Sequence, residues 1–334
     1  MAKVRMPPSK AKPTPLPAVL LAAGSLVPAF AQAERDGARA YRQNEKSVST
    51  RRAYASDFRI FADWCQARGV TCLPADPETV ATFISGEAAA GTKASTIGRR
   101  LAAIRYAHRL AGQPTPTDAE LVGVTMRGIR RTIGAAKVKK APATAPRINE
   151  MLQHIPDTLT GKRDRALLLL GFAGAIRRSE LVALQVADLE LSDDGARVLI
   201  RRSKTDQEGH GRIIGIPAGG RLQVVEAVIA WLAASGITAG PIFRPINRHG
   251  QVLPAALTGT TVAAVVKAYA GRSGLDPATF SGHSLRRGFL TSAAQHGATL
   301  AKMKAVSGHK STDVLMGYVD DAEMFRDHAG SAFL

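Results

Sequence analysis

The sequence predicts a mainly α-helical protein of two domains: a four-helix bundle, then an α+β domain built around a small antiparallel three-stranded sheet. Three observations carry that expectation. Apolar residues recur at helical spacing in four segments before Gly134; residues 134–146 hold small residues, two prolines and no apolar period; and beyond them the helical runs are interrupted by one short meander. A chain of 334 residues is long enough for two separate cores. The expected division is a mobile Pro/Ala-rich arm over residues 1–35, a helical domain over 36–134, a basic linker over 135–147 and a second domain over 148–334.

In the arm, Lys3, Arg5, Lys10 and Lys12 precede a short apolar run, which imitates a secretion signal. Pro7, Pro8, Pro13, Pro15 and Pro17 weigh against that reading, and a cytoplasmic, nucleoid-associated location is expected. The first helix places Tyr54, Phe58, Phe61 and Cys65 on one face, with Trp64 joining the core and Gly69 as the stop. The second follows Asp76-Pro77, with Pro at its first position and Val80, Phe83 and Ile84 inward. A third, from about Ser95, buries Ile97, Leu101 and Ile104 while carrying Arg99, Arg100, Arg105 and Arg109. The fourth, from Thr117-Asp118, buries Val122, Met126, Ile129 and Ile133, with Arg127, Arg130 and Arg131 alongside. These arginines have few carboxylates near them in sequence, so phosphate contact is favoured over a merely solvated face. Lys137, Lys139 and Lys140 of the linker are expected to lie against the same kind of backbone.

The second domain opens with helices over residues 149–155 and 163–171. Ser179 reads as the N-cap of a helix over 180–185, which leaves Arg177 just ahead of a helix start. Strands are expected at 188–191, 197–202 and 212–216, the first two joined by Asp193-Asp194-Gly195, with Lys204 where the second runs out. Helices resume at 222–234, 260–269, 285–295, 300–306 and 312–319.

The chain carries 45 Lys+Arg against 27 Asp+Glu, a formal charge of +18 and a pI near 10.5. So large an excess points to a polyanionic partner, because each phosphate neutralised releases a counterion and strengthens binding. Cys65 and Cys72 sit in no ligand pattern, so neither a disulfide scaffold nor a zinc site is expected. No stretch reads as a membrane span.

The most informative stretch is residues 281–318. It reads Ser-Gly-His283-Ser-Leu-Arg286-Arg287-Gly, then two helical runs around Gly308-His309-Lys310, and reaches Tyr318 nine positions beyond His309. A histidine and an arginine three apart at a helix start can face one anion held by that helix end. The phenol oxygen of Tyr318 is a nucleophile if a phosphate sits between it and the basic groups. Two further segments accompany it: Gly174-Ala-Ile-Arg177-Arg178-Ser-Glu180-Leu and Arg201-Arg202-Ser-Lys204-Thr-Asp-Gln-Glu.

Taken together, these motifs resemble those of the tyrosine recombinases, the phage-integrase family, with its two arginine boxes and a lysine on the hairpin between them. The likeness covers about the last half of the chain with every motif position filled; the N-terminal bundle is similar in position and size, with a looser signature. It implies a SAM-like core-binding domain, a catalytic domain of the DNA breaking-rejoining fold, and site-specific recombination (integration or excision) through a 3′-phosphotyrosyl intermediate. It implies double-stranded DNA as partner and a tetramer on that DNA; no metal is expected, because no carboxylate cluster or His/Cys ligand spacing accompanies these residues, and no cofactor is expected either. The segment with Met324, Phe325 and Phe333 would dock on a neighbouring subunit or cap its own. Whether accessory DNA-bending or directionality proteins take part is left open.

Carried onto this chain, the resemblance makes Arg177 and Arg286 a clamp on the non-bridging oxygens, a task suited to a planar, permanently charged fork. The Arg-x-Ser-Glu register selects Arg177 over Arg178. Tyr318 attacks phosphorus, His283 serves as general base or proton relay, His309 hydrogen-bonds the phosphate, and Lys204 protonates the leaving 5′ oxygen. Glu180 orients Arg177 or sits as an acid on the helix dipole. Arg201, Arg202, Arg287 and Lys310 extend the DNA-binding surface, and Tyr41, Tyr54, Tyr106 and Tyr269 are structural. A type IB topoisomerase and a non-catalytic DNA-binding regulator are the competing readings; the Gly-His-(x8)-Tyr spacing and the filled positions favour a recombinase.

Overall fold

A computed structural model describes residues 45–134, 140–203, 206 and 211–323, with residues 34, 36, 37 and 41 besides. The expectations for residues 1–33, Lys137, Lys139, Lys204 and the segment from Met324 onward lie outside the described residues. The chain divides into two compact units, Met1–Lys137 and Val138–Leu334.

Over residues 45–134 of the first unit, four helices arise where the local chemistry asks for them. α1 (Val48–Gln66) starts at Ser47, whose hydroxyl accepts from the Thr50 amide at 3.2 Å. α2 (Pro77–Ala89) has Pro at its first turn, and Asp76 accepts from the Glu78 amide at 2.8 Å. α3 (Ala94–Leu110) and α4 (Glu120–Ile133) complete the bundle, the latter after a 3-10 turn at Pro116–Asp118 rather than from Thr117 itself. Phe61, Phe83, Ile84, Ile97 and Ile104 are fully enclosed, with Val122, Met126 and Ile129 closing the core, whereas Ile133 is exposed. Trp64 packs edge-on to Phe83 with ring centroids 5.5 Å apart. His108 is also buried: its Nδ1 donates to the Ile104 carbonyl at 2.8 Å and its Nε2 accepts from the Ala75 amide at 2.9 Å.

The second unit is a helical domain with one small sheet. α5 (Ala145–Gln153) starts inside the stretch read as linker, and α6 (Leu159–Ala173) is a central rod in which residues 166–172 are all buried. α7 (Arg178–Ala183) follows. Then β1 (Leu189–Ser192), β2 (Gly195–Ile200) and β3 (Arg212–Pro217) form the antiparallel meander in the order β1-β2-β3, with Ala196, Val198, Ile200, Ile214 and Ile216 inward. Gly195, at φ 146°, lets β3 lie close against the start of β2: a Cβ there would lie 2.1 Å from the Ile216 carbonyl oxygen. α8 (Val224–Ser235) packs on α6, and Trp231 donates from its buried indole to the Ile242 carbonyl at 2.8 Å. α9 (Gly259–Arg272), α10 (Ser284–Gln295), α11 (Leu300–Ser307) and α12 (Asp313–Glu323) complete the described chain.

The stretch ahead of α5 is tied down. Ala141 donates to the Thr279 carbonyl at 2.8 Å, Ala143 to that of Ser284 at 2.9 Å, and Ala145 to the Ser292 hydroxyl at 2.9 Å. The backbone comes so near α10 that a Cβ on Gly288 would meet the Ala143 carbonyl oxygen at 1.8 Å. An extended segment held by backbone bonds to another element leaves no periodicity to read, which is why composition alone suggested a linker.

Candidate active site

The site is assembled by turns that end one helix and start the next. α6 closes at Gly174, and Ala175 then takes a left-handed conformation at φ 46°, a strained state for an alanine. That turn places Arg177 at the N-cap of α7, so Ser179 is the second residue of the helix and not its cap as expected. The capping acid is Glu180. One of its oxygens accepts from the Arg177 amide at 3.2 Å and the other from the Arg177 guanidinium at 2.6 Å. The two alternatives offered for Glu180, orienting Arg177 and sitting on the dipole, describe one side chain doing both. Arg178 is exposed and lies against Gly282 and Gly259.

Arg286, in the first turn of α10, is 6% exposed. Its Nη1 donates to the carbonyl of the strained Ala175 at 2.7 Å, and its Nη2 lies 3.1 Å from both ring nitrogens of His309. The guanidinium therefore ties the first arginine box to the turn after α11. Burial first, and Arg177 next, lower its pKa to about 10, with Glu180 opposing, so at neutral pH it remains a cation held among other cations. His283 is exposed at the N-cap position of α10, while Arg286 is buried one turn on.

His309 follows Gly308, which ends α11 at φ 63°. The fully buried Ser307 places its hydroxyl 2.8 Å from His309 Nδ1. Burial and then the charges of Arg286, Arg177 and Arg212 push the imidazole down to about 4. At neutral pH the ring is uncharged and one of its nitrogens carries a proton.

Tyr318 lies on α12, half-buried against the small cluster of Leu290, Ala294, Met303 and Leu315. Burial raises its pKa, and Arg287 and then Arg286 pull it back down. The phenol thus stands in the field of the clamp. Arg287 itself donates to the Lys140 carbonyl at 2.7 Å and lies 4.0 Å from Asp321.

The expected DNA-contact residues divide. Arg109, Arg130, Arg131, Arg202 and Lys310 are exposed. The α3 arginines have few carboxylates near them in sequence, but the fold brings carboxylates to three of them. Arg99 forms a two-pronged pair with buried Asp57 at 2.6 and 3.0 Å, Arg100 is enclosed against Glu87, and Arg105 reaches Asp118 at 2.7 Å. Asp57 and Glu87 come from other helices, out of sight of a window of sequence. Arg127 pairs with Glu120 at 2.5 Å, Arg201 with Asp188 at 2.5 Å, and Lys140 donates to the Ala278 carbonyl at 2.7 Å. Sequence reasoning missed Arg212, read only as the start of a strand, and Ser307, whose one signal is its place before Gly308-His309. Tyr269 is a buried structural residue, donating to Asp164 at 3.1 Å.

Residues 143–324 match the model of the phage integrase family, and residues 40–113 match that of the phage integrase N-terminal SAM-like domain. The chain belongs to the phage integrase family. An integrase/recombinase xerD homolog of Selenomonas ruminantium is 41% identical over 308 residues, covering 89% of each chain. The recombinase cre of Escherichia phage P1 is 25% identical over 280 residues, covering 78% of this chain and 80% of its own. Among solved structures, the Tn1549 transposon integrase in complex with transposon right-end DNA superposes with a TM-score of 0.61 at 15% identity, over 87% of this chain and 97% of that one. The XerH recombinase in a post-cleavage complex gives 0.56 at 19% identity, over 77% and 72%. Those two likenesses show the fold. The family places the chain among the tyrosine-type site-specific DNA recombinases, and the helical SAM-like domain with the α+β domain is its architecture.

Proposed function

We propose that the chain cuts and rejoins double-stranded DNA at a specific site through Tyr318, forming a 3′-phosphotyrosyl intermediate in integration or excision of a mobile element. The observation that supports this reading best is the convergence of Arg177, Arg286 and the neutral His309 on one place, with Tyr318 in the field of Arg286. In the reaction the Tyr318 oxygen bonds to phosphorus and the bond to the 5′ oxygen breaks. Arg177 and Arg286 stabilise the charge on the non-bridging oxygens, and His309 donates a neutral hydrogen bond to one of them. The phenol proton goes to the exposed His283, and Lys204 returns a proton to the leaving 5′ oxygen. One ester replaces another, so a 5′ hydroxyl of a second strand reverses the step without an energy source. Exchange between sites requires several copies on the DNA, in keeping with a tetramer, in the cytoplasm.

The test is a nicked substrate from which the 5′ fragment escapes, so that the covalent adduct accumulates. Tyr318→Phe is expected to abolish the adduct, a loss of at least about 10³-fold, while DNA affinity stays within about threefold. Undiminished adduct would remove Tyr318 as nucleophile; relaxation of supercoiled plasmid with no strand exchange between two sites would mark a topoisomerase instead.

A further inference from the structure

Arg212 opens β3, yet its guanidinium leaves the sheet. Nη2 donates to Glu180 at 3.3 Å, and Nη1 donates to the Val306 carbonyl at the end of α11. The other Glu180 oxygen holds Arg177, and Val306 is three residues ahead of His309. One side chain therefore joins two segments that lie 32 and 94 positions from it. The turn after α11 is shaped to let it in: a Cβ on Gly308 would stand 2.8 Å from Arg212 Nε and 3.0 Å from its Cδ. The same Nε is buried and has no hydrogen-bond partner among the described residues. Arg100 Nε in the first unit is buried without a hydrogen-bond partner too, so what sets Arg212 apart is the reach of its fork to Glu180 and the Val306 carbonyl together.

We propose that Arg212 is a positioning residue that fixes Glu180, and through Glu180 the Arg177 guanidinium, to the turn that carries His309. The two sides of the phosphate site, one from the start of α7 and one from the end of α11, then keep a single geometry. A shared carboxylate between two arginines also sets the orientation of each, because neither can turn without breaking its bond to Glu180. The burial of Arg212 lowers its pKa, and its charge in turn adds to those that keep His309 neutral. A lysine could meet Glu180 or the Val306 carbonyl but lacks the planar fork that meets both. This inference rests on the reading of Arg177 and His309 as phosphate ligands.

The test uses the full chain, measuring single-turnover adduct formation on nicked DNA at saturating protein, DNA affinity by fluorescence anisotropy, and thermal unfolding. Arg212→Met is expected to slow cleavage by about 10²-fold, the size of loss that an ångström of misplacement gives, with affinity changed less than about threefold. Arg212→Lys should recover part of the rate. Because Arg212 acts through Glu180, adding Glu180→Gln to Arg212→Met should cost far less than the product of the two single losses. Arg212→Gln, which keeps one donor, carries the same comparison if the Met variant does not fold. Wild-type rates in the variants, fully multiplicative losses in the double variant, or rate and affinity falling together with thermal stability in every variant would each overturn the proposal. Absence of an adduct with the unaltered protein would instead sink the recombination chemistry on which it rests, and the wild-type lane alone reports that.

Discussion

The arginines of α3 and those around Glu180 are chemically the same and are used in opposite ways. On α3 three arginines meet three carboxylates: Asp57 takes Arg99 and, at 4.0 Å, Arg100 as well, Glu87 takes Arg100, and Asp118 takes Arg105. In the second unit Arg177 and Arg212 share Glu180, while Arg286 is held by a backbone carbonyl and His309. Matched charges, when enclosed, hold helices together; a surplus of fixed positive charge, kept in place by a single acid, is an electrostatic site waiting for an anion. The count of arginines in a segment therefore says little until their acids are located.

Several experiments sharpen or break that contrast. Arg286→Met should lower cleavage by about 10²- to 10³-fold, as removal of a preorganised donor does, read from single-turnover adduct formation. Arg100→Met should do the reverse, leaving the chemistry of folded protein near wild type while lowering stability by about 3 kcal/mol, because enclosed Glu87 loses its counter-charge; denaturant unfolding measures it. Equal effects of the two on cleavage by folded protein would erase the distinction.

The smaller effects concern pH and the surface. His309 has its folded pKa depressed to about 4, below an unfolded value near 6.5. The unfolded chain binds the proton more readily, so the contribution is fully present above about pH 6.5 and is lost as pH falls towards 4. His309→Gln should flatten that acid limb in a series of unfolding curves, and an unchanged limb would assign it elsewhere. Least of all, Arg127→Ala breaks an exposed pair with Glu120 and should cost under about 1 kcal/mol of stability. If Arg127 also meets a phosphate, the salt slope of DNA binding should fall by about one; an unchanged slope would leave Arg127 a purely structural partner of Glu120.

Legibility followed range. The helices of the bundle, Pro77 at a helix start, the Asp193-Asp194-Gly195 turn and the three strands were readable because each depends on neighbours within a few positions. The motif residues Arg177, Glu180, Arg286, His309 and Tyr318 were readable as residue types at set spacings. What surrounds each was not: His283 and Arg286 sit three apart yet one is exposed and the other buried, and Ser179 looked like the N-cap of a helix whose N-cap is Arg177, with Glu180 three residues beyond Arg177 accepting from its amide. The segment ahead of α5 looked like a linker because its partners, Thr279 and Ser284, are far along the chain.

By itself, then, the sequence determined the local geometry, the polyanion-seeking charge and the family. Only the folded chain decided which arginines face which carboxylates, and that Arg212 reaches both Glu180 and the Val306 carbonyl. The reason is that hydrogen bonds and Coulomb forces act through a few ångströms of space, and which residues come that close across a hundred positions of chain is fixed by packing, which no local pattern records.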